Sequence, residues 1–157
     1  MKSRMESPVM IVPDASQALQ ALAKALFASA ENTGIPKRML FLSYLRISQI
    51  NGDSACVELH SGNALAAGES IERILAVSAW RDAKCFNDAE RAALALSESV
   101  TRINDREDPV PDEIFNEAAR HYDVAALATL IAGFATANLW NRFNVSTRQI
   151  AAFSAGK

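Results

Sequence analysis

Residues 45–60 of this chain, Leu45-Arg46-Ile47-Ser48-Gln49-Ile50-Asn51-Gly52-Asp53-Ser54-Ala55-Cys56-Val57-Glu58-Leu59-His60, hold one of its two cysteines and one of its two histidines. Asn51-Gly52 breaks the chain between two apolar-periodic segments, and Asp53 stands where a following helix would be capped. A helix that starts there carries Cys56 in its first turn and His60 one turn further along the same face. Such a site suits a nucleophilic or peroxide-reducing thiol. A free thiol, with a pKa of ~8.5, is mostly protonated at neutral pH. A helix N-terminus favours its anion, and an imidazole can take the proton or, as the cation, stabilise the thiolate. The same residues also have a structural reading. A cysteine in an alanine-rich helix is often a small hydrophobe, and His60 can be a satisfied core histidine. Asp53 has two roles as well. As an N-cap it is worth ~1 kcal/mol to the helix. As a neighbouring negative charge it opposes thiolate formation and competes for the N–H groups that would favour it.

The 157 residues suggest one domain. Half are hydrophobic, 22% are charged, and glycine and proline are scarce (six and five), which favours helix. The formal net charge of −2 is spread along the chain, without the basic block of a nucleic-acid binder or the polybasic helix of a membrane-surface binder. No signal peptide and no run of ~18 apolar residues is expected. The most apolar segment, 124–139, reads as a buried core helix. Two cysteines make no disulfide framework, so a reducing, cytoplasmic location is the default expectation. No metal-ligand cluster, phosphate loop or nucleophile elbow stands out, and no cofactor is implied.

Along the chain, residues 1–12 read as an arm, 13–148 as the domain and 149–157 as a tail. The first helix, capped by Asp14, runs to about Ala30 and stops at Asn32-Thr33-Gly34. The second starts at Pro36 and is apolar on more than one face, so it is buried or shared with another subunit. The third runs from Asp53 to about Ala67 with Cys56, Leu59, His60, Asn63 and Ala67 on one stripe, and a short fourth spans 69–77. An irregular connection, 79–86, holds Trp80 and Cys85. A fifth helix, capped by Asn87 or Asp88, reaches about Ile103. A sixth turns Ile114, Phe115, Ala118 and Tyr122 inward. Asp123 caps the last, 124–143, and the residues from Asn144 on have little to pack against. Trp80, Trp140, Phe134 and Phe143 read as core or interface aromatics. The fold expected is all-α, with about seven helices.

The 45–60 stretch resembles the signature of the carboxymuconolactone decarboxylase-like superfamily and is closest to its alkylhydroperoxidase D-like (AhpD-like) branch. There, Arg-x-Ser-Gln-x-Asn-Gly leads into Cys-x-x-Cys-x-x-x-His. Ala67-Gly68-Glu69, Ala79-Trp80-Arg81, Phe86-Asn87-Asp88-Ala89-Glu90-Arg91 and Asn138-Leu139-Trp140-Asn141-Arg142-Phe143 resemble later family segments in the right order, so the similarity covers about Pro36 to Arg148. The resemblance implies an all-α fold, assembly into a homo-oligomer (trimer or hexamer) and reduction of a small-molecule hydroperoxide. Cys56 matches the attacking cysteine and His60 the proton-relaying histidine. Two positions depart from the pattern. Asp53 replaces the resolving cysteine, and Phe41 stands where a relay glutamate is expected. The chain is therefore expected to act through a single thiol, its sulfenic acid reduced by an external thiol, a partner subunit or Cys85. The alternatives are a catalytically silent scaffold and a carboxymuconolactone decarboxylase-like lyase acting on a small organic acid.

Overall fold

A computed structural model describes residues 2–104 and 106–152. Among these residues it contains eight α-helices and no strand. They are α1 (Pro8–Ile11), α2 (Pro13–Asn32), α3 (Lys37–Asn51), α4 (Ser54–Ala66), α5 (Ile71–Ala76), α6 (Asp88–Thr101), α7 (Asp112–His121) and α8 (Val124–Thr147), with a 3₁₀ turn at Val77–Ala79 after α5. The expected all-α fold is observed.

The bundle is built on α3, which packs against α4, α6 and α8. Met39, Leu40, Leu42, Tyr44, Leu45 and Ile47 are all buried within the one chain, which accounts for apolar residues on more than one face. Its end is set by local chemistry. Gly52 adopts a left-handed conformation (φ 69°), the Gly52 N–H reaches Gln49 O at 3.4 Å, and the Asp53 N–H reaches Ser48 O at 3.0 Å. These are the paired bonds of a Schellman stop, which needs glycine at the left-handed position. Asp53 closes that motif and caps α4, its side chain accepting the Cys56 N–H at 3.1 Å. One residue thus fixes the angle between the two helices.

The other residues of the Arg-x-Ser-Gln-x-Asn-Gly run also brace this corner. The Asn51 amide donates to Asn138 Oδ1 and Asn141 Oδ1, both at 2.9 Å. Ser48 Oγ donates to Tyr44 O and accepts from Asn141 Nδ2. Arg46 pairs with Glu98 of α6 at 2.5 Å. Glu98 is only 3% exposed and also meets Arg81 Nη2 and Arg102 Nη1, each at 2.8 Å, and Trp80 Nε1 at 3.0 Å. This cluster ties the connection after α5 to α3 and α6.

Several expectations change. Asp14 does not cap α2: Pro13 takes the first helical position, Val12 precedes it, and Asp14 lies within the first turn. The arm contains a helical turn and docks on the end of α8, with the Arg4 N–H donating to Thr147 O at 2.9 Å. The fourth helix starts later than expected because Ser70 caps it, while buried Glu69 turns back to Arg73. Asn87 caps α6 through a capping box with Glu90, and α6 ends at Thr101 instead of Ile103. Phe115 is 39% exposed beside the start of α8 and does not point into the core. Helix α8 continues four residues past Phe143, to Thr147.

By length and composition α8 is apolar enough to cross a membrane, because its alanines and leucines outweigh the polar residues that interrupt it, although it holds no unbroken run of ~18 apolar residues. Half of that stretch is buried inside the protein, packed on α2, α3 and α6, as a core helix is. Phe153 lies outside the described residues.

Candidate functional site

Helices α2, α3, α4 and α8 enclose a cavity of about 380 Å³. Ala23, Leu26 and Phe27 line it from α2, and Phe41 and Tyr44 from α3. Cys56, Leu59, His60 and Asn63 come from α4, and Gly133, Thr136, Ala137, Trp140 and Asn144 from α8. In α2 only Ala30 is fully buried, because the inward face of that helix lines this cavity more than it enters the core. Cys56 and His60 therefore share one wall, as the one-turn spacing requires. Asp53 lies behind that wall, 2% exposed, and is not itself part of the lining. Trp140, read from sequence as a core or interface aromatic, is a lining residue. Neither cysteine forms a disulfide, and exposed Cys85 is not part of the cavity.

Asparagines 138, 141 and 144 recur every third residue along α8 and face the α3–α4 corner. Asn141 Nδ2 and Asn144 Nδ2 donate to Asp53 Oδ2 at 2.9 and 3.0 Å, and Asn144 Nδ2 also donates to Cys56 Sγ at 3.2 Å. Among the described residues the Asp53 carboxylate is thus satisfied by one backbone and two side-chain amides, without a cation. Asn144 is the residue that sequence reasoning missed, having assigned it to an unpacked tail. The signal was an asparagine every third residue in an otherwise apolar run.

These neighbours set the charge state of the pair. Burial, and then the hydrogen bonding and negative charge of Asp53, push the Cys56 thiol up to about 12, with the amides of Asn144 and Asn141 opposing the shift. Burial pulls His60 down to about 4, with the charge of Asp53 opposing it. At pH 7 the thiol keeps its proton and the imidazole is neutral. The helix N-terminus cannot offset this at Cys56, because Asp53 already takes the Cys56 N–H. Among the described residues His60 has no hydrogen-bond partner, and its Nδ1 is buried. Its ring packs on Tyr44 with centroids 5.4 Å apart.

Gly133 makes room for Tyr44. A Cβ at Gly133 would lie 2.5 Å from Tyr44 Oη. Gly133→Ala should drive the Tyr44 ring toward His60, cost about 1–3 kcal/mol and shrink the cavity. Thermal denaturation and a crystal structure of the variant would check this; an unchanged Tm with Tyr44 in place would refute it.

A model of the carboxymuconolactone decarboxylase family matches residues 13–99. The uncharacterised protein YdfG of Bacillus subtilis is 34% identical over 102 residues, 65% of this chain and 68% of its own length. Among solved structures, a protein of unknown function from Agrobacterium tumefaciens, proposed to be the antioxidant defence protein AhpD, aligns with a TM-score of 0.87 at 28% identity. That alignment covers 98% of this chain and 100% of the other. A cysteine-to-alanine variant of the debrominase Bmp8, in complex with 2,3,4-tribromopyrrole, aligns with a TM-score of 0.74 at 27% identity, over 89% of this chain and 72% of that one.

Proposed function

The chain belongs to the carboxymuconolactone decarboxylase family, and from that premise we propose that it reduces small organic hydroperoxides through one thiol, Cys56, with His60 as the proton acceptor. The observation that carries this reading is the placement of the Cys56 sulfur at the cavity wall, held by the Asn144 amide at 3.2 Å, with an unpartnered neutral imidazole one turn away. In the reaction, Sγ attacks the terminal peroxide oxygen. The S–O bond forms as the O–O bond breaks, giving a sulfenic acid and an alcohol. The thiol proton passes through His60 to the leaving oxygen. A thiol near 12 and an imidazole near 4 do not form a standing ion pair, so proton transfer accompanies S–O bond formation. The Asn144 N–H stabilises the charge that grows on sulfur.

Turnover requires an external thiol, because Asp53 occupies the resolving position. One equivalent converts the sulfenic acid to a mixed disulfide and water; a second releases the Cys56 thiol and a small-molecule disulfide. The protein acts as a homo-oligomer in this reading, and large exposed apolar side chains such as Val124 and Leu75 support self-association. Stopped-flow consumption of cumene hydroperoxide with excess dithiothreitol tests the chemistry. Cys56→Ser should lose at least 99% of the rate above buffer. Equal rates in the two proteins would leave an inert scaffold.

The likeness to Bmp8 favours a second reading. A cysteine that keeps its proton can reduce a halogenated aromatic ring: the carbon–halogen bond breaks, the ring carbon takes the thiol proton and sulfur takes the halogen as a sulfenyl halide. One external thiol displaces halide to give a mixed disulfide, and a second releases the Cys56 thiol. Halide release from a bromopyrrole by wild type, and none by Cys56→Ser, would select this reading.

A further inference from the structure

We infer that the cavity selects uncharged, ring-bearing organic molecules and rejects carboxylates, with Asp53 as the buried charge that enforces the choice. The inference rests on reading this cavity as the reaction site.

Two independent features carry it. Among the described residues the lining contains no side chain that is ionised at neutral pH, since Cys56 keeps its proton and His60 is neutral. Phe27, Phe41, Tyr44, His60 and Trp140 supply five ring faces, and the polar groups of Tyr44 and Asn63 supply neutral hydrogen-bonding positions. The cavity is of a size to enclose a single substituted ring. An anion entering it would lose hydration and find no cation.

The second feature is the charge behind the wall. Asp53 shares the Asn144 amide with the Cys56 sulfur, so a carboxylate placed against that sulfur would lie one side chain from a buried carboxylate balanced only by amides. In such a setting like charges repel strongly. The arrangement therefore disfavours the lyase alternative that acts on a small organic acid.

The test is binding to Cys56→Ala protein by titration calorimetry at pH 7.5, which separates recognition from thiol chemistry. The probes are 2-phenyl-2-propanol, 2-phenylpropionamide and its isostere 2-phenylpropionate. The alcohol and the amide should bind within about threefold of each other, and the carboxylate at least 30-fold more weakly. Adding Asp53→Asn should narrow the amide-to-carboxylate gap at least threefold. Carboxylate binding within threefold of the amide would overturn the inference, as would no binding of either neutral probe at 10 mM or an unchanged gap in the double variant. If the double variant does not fold, the amide and carboxylate comparison decides alone. If selectivity holds while Cys56→Ser leaves peroxide consumption unchanged, the proposed chemistry fails and the selectivity stands.

Discussion

Asp53→Asn should make Cys56 a stronger acid and the protein less stable. Asparagine can keep the α4 cap, because its carbonyl can accept the Cys56 N–H as Oδ1 does now. The negative charge that helps hold the thiol protonated is gone, so the Cys56 pKa falls from its value of about 12. Alkylation of Cys56 by iodoacetamide at pH 8 should rise at least tenfold, since the rate follows the thiolate fraction. Stability moves the other way. The atom replacing Oδ2 becomes an amide nitrogen facing two amide donors, Asn141 and Asn144. A stranded buried donor costs about 1–3 kcal/mol, so urea denaturation should show a loss of about 2 kcal/mol. Asp53→Ala removes the cap as well and should lose more. The same reasoning applies to restoring a cysteine at this position. Asp53→Cys reinstates the dithiol sequence but strands the asparagines, so its disulfide would form in a weakened corner.

The largest stability loss is expected at Glu98. Its carboxylate is buried among Arg46, Arg81 and Arg102 and accepts the Trp80 indole N–H. Burial opposes its ionisation, but the Arg81, Trp80, Arg46 and Arg102 hydrogen bonds win and pull it down to about 2. Glu98→Gln leaves Arg46 largely buried without a counter-charge, which costs about 3–5 kcal/mol. The cavity does not include this cluster, so iodoacetamide selectivity between Cys56 and Cys85 should not change in the variant while it remains folded.

The pH dependence follows from the same shifts. A carboxyl whose folded pKa lies below its ordinary 4.5 contributes stability that is complete above 4.5 and lost as pH falls toward about 2. His60 has an ordinary value of 6.5 and a folded value of about 4, so the unfolded chain binds its proton first. That contribution is complete above pH 6.5 and lost on acidification toward pH 4. Wild type should therefore weaken in two successive acid steps, and Glu98→Gln should show a smaller lower one, since Glu98 is the carboxyl held furthest below its ordinary value. A single step in both proteins would contradict the assignment.

The α3–α4 corner was legible in the sequence because its determinants are local. Asn51-Gly52-Asp53 carries a left-handed stop and a cap within three residues, and no distant partner is needed to recognise them. The placement of Cys56 and His60 on one wall followed from spacing alone. Asn144 was not legible in the same way. The segment 144–147 has weak helix formers and looks like the start of a tail, yet it stays helical. There the Asn144 side chain is anchored on Asp53 and Cys56, and the arm packs on Thr147. Tertiary contact outweighed local propensity. Glu98 was missed for a related reason. A glutamate in the last turns of a helix reads as solvent-facing, and only the fold brings three arginines and an indole to it. The opposing charge of Asp53 and its claim on the N–H groups at the start of α4 were legible in the sequence; the burial of the thiol, which is the largest cause of its raised pKa, was not.

The most direct measurement is the site of oxidation. Wild-type protein is treated with one equivalent of cumene hydroperoxide in the presence of dimedone, digested, and read by mass spectrometry. A single sulfenic-acid adduct on the peptide containing Cys56, absent when His60 is replaced by phenylalanine, is the result this account predicts. An adduct confined to Cys85, or Cys56 recovered unmodified, would contradict it.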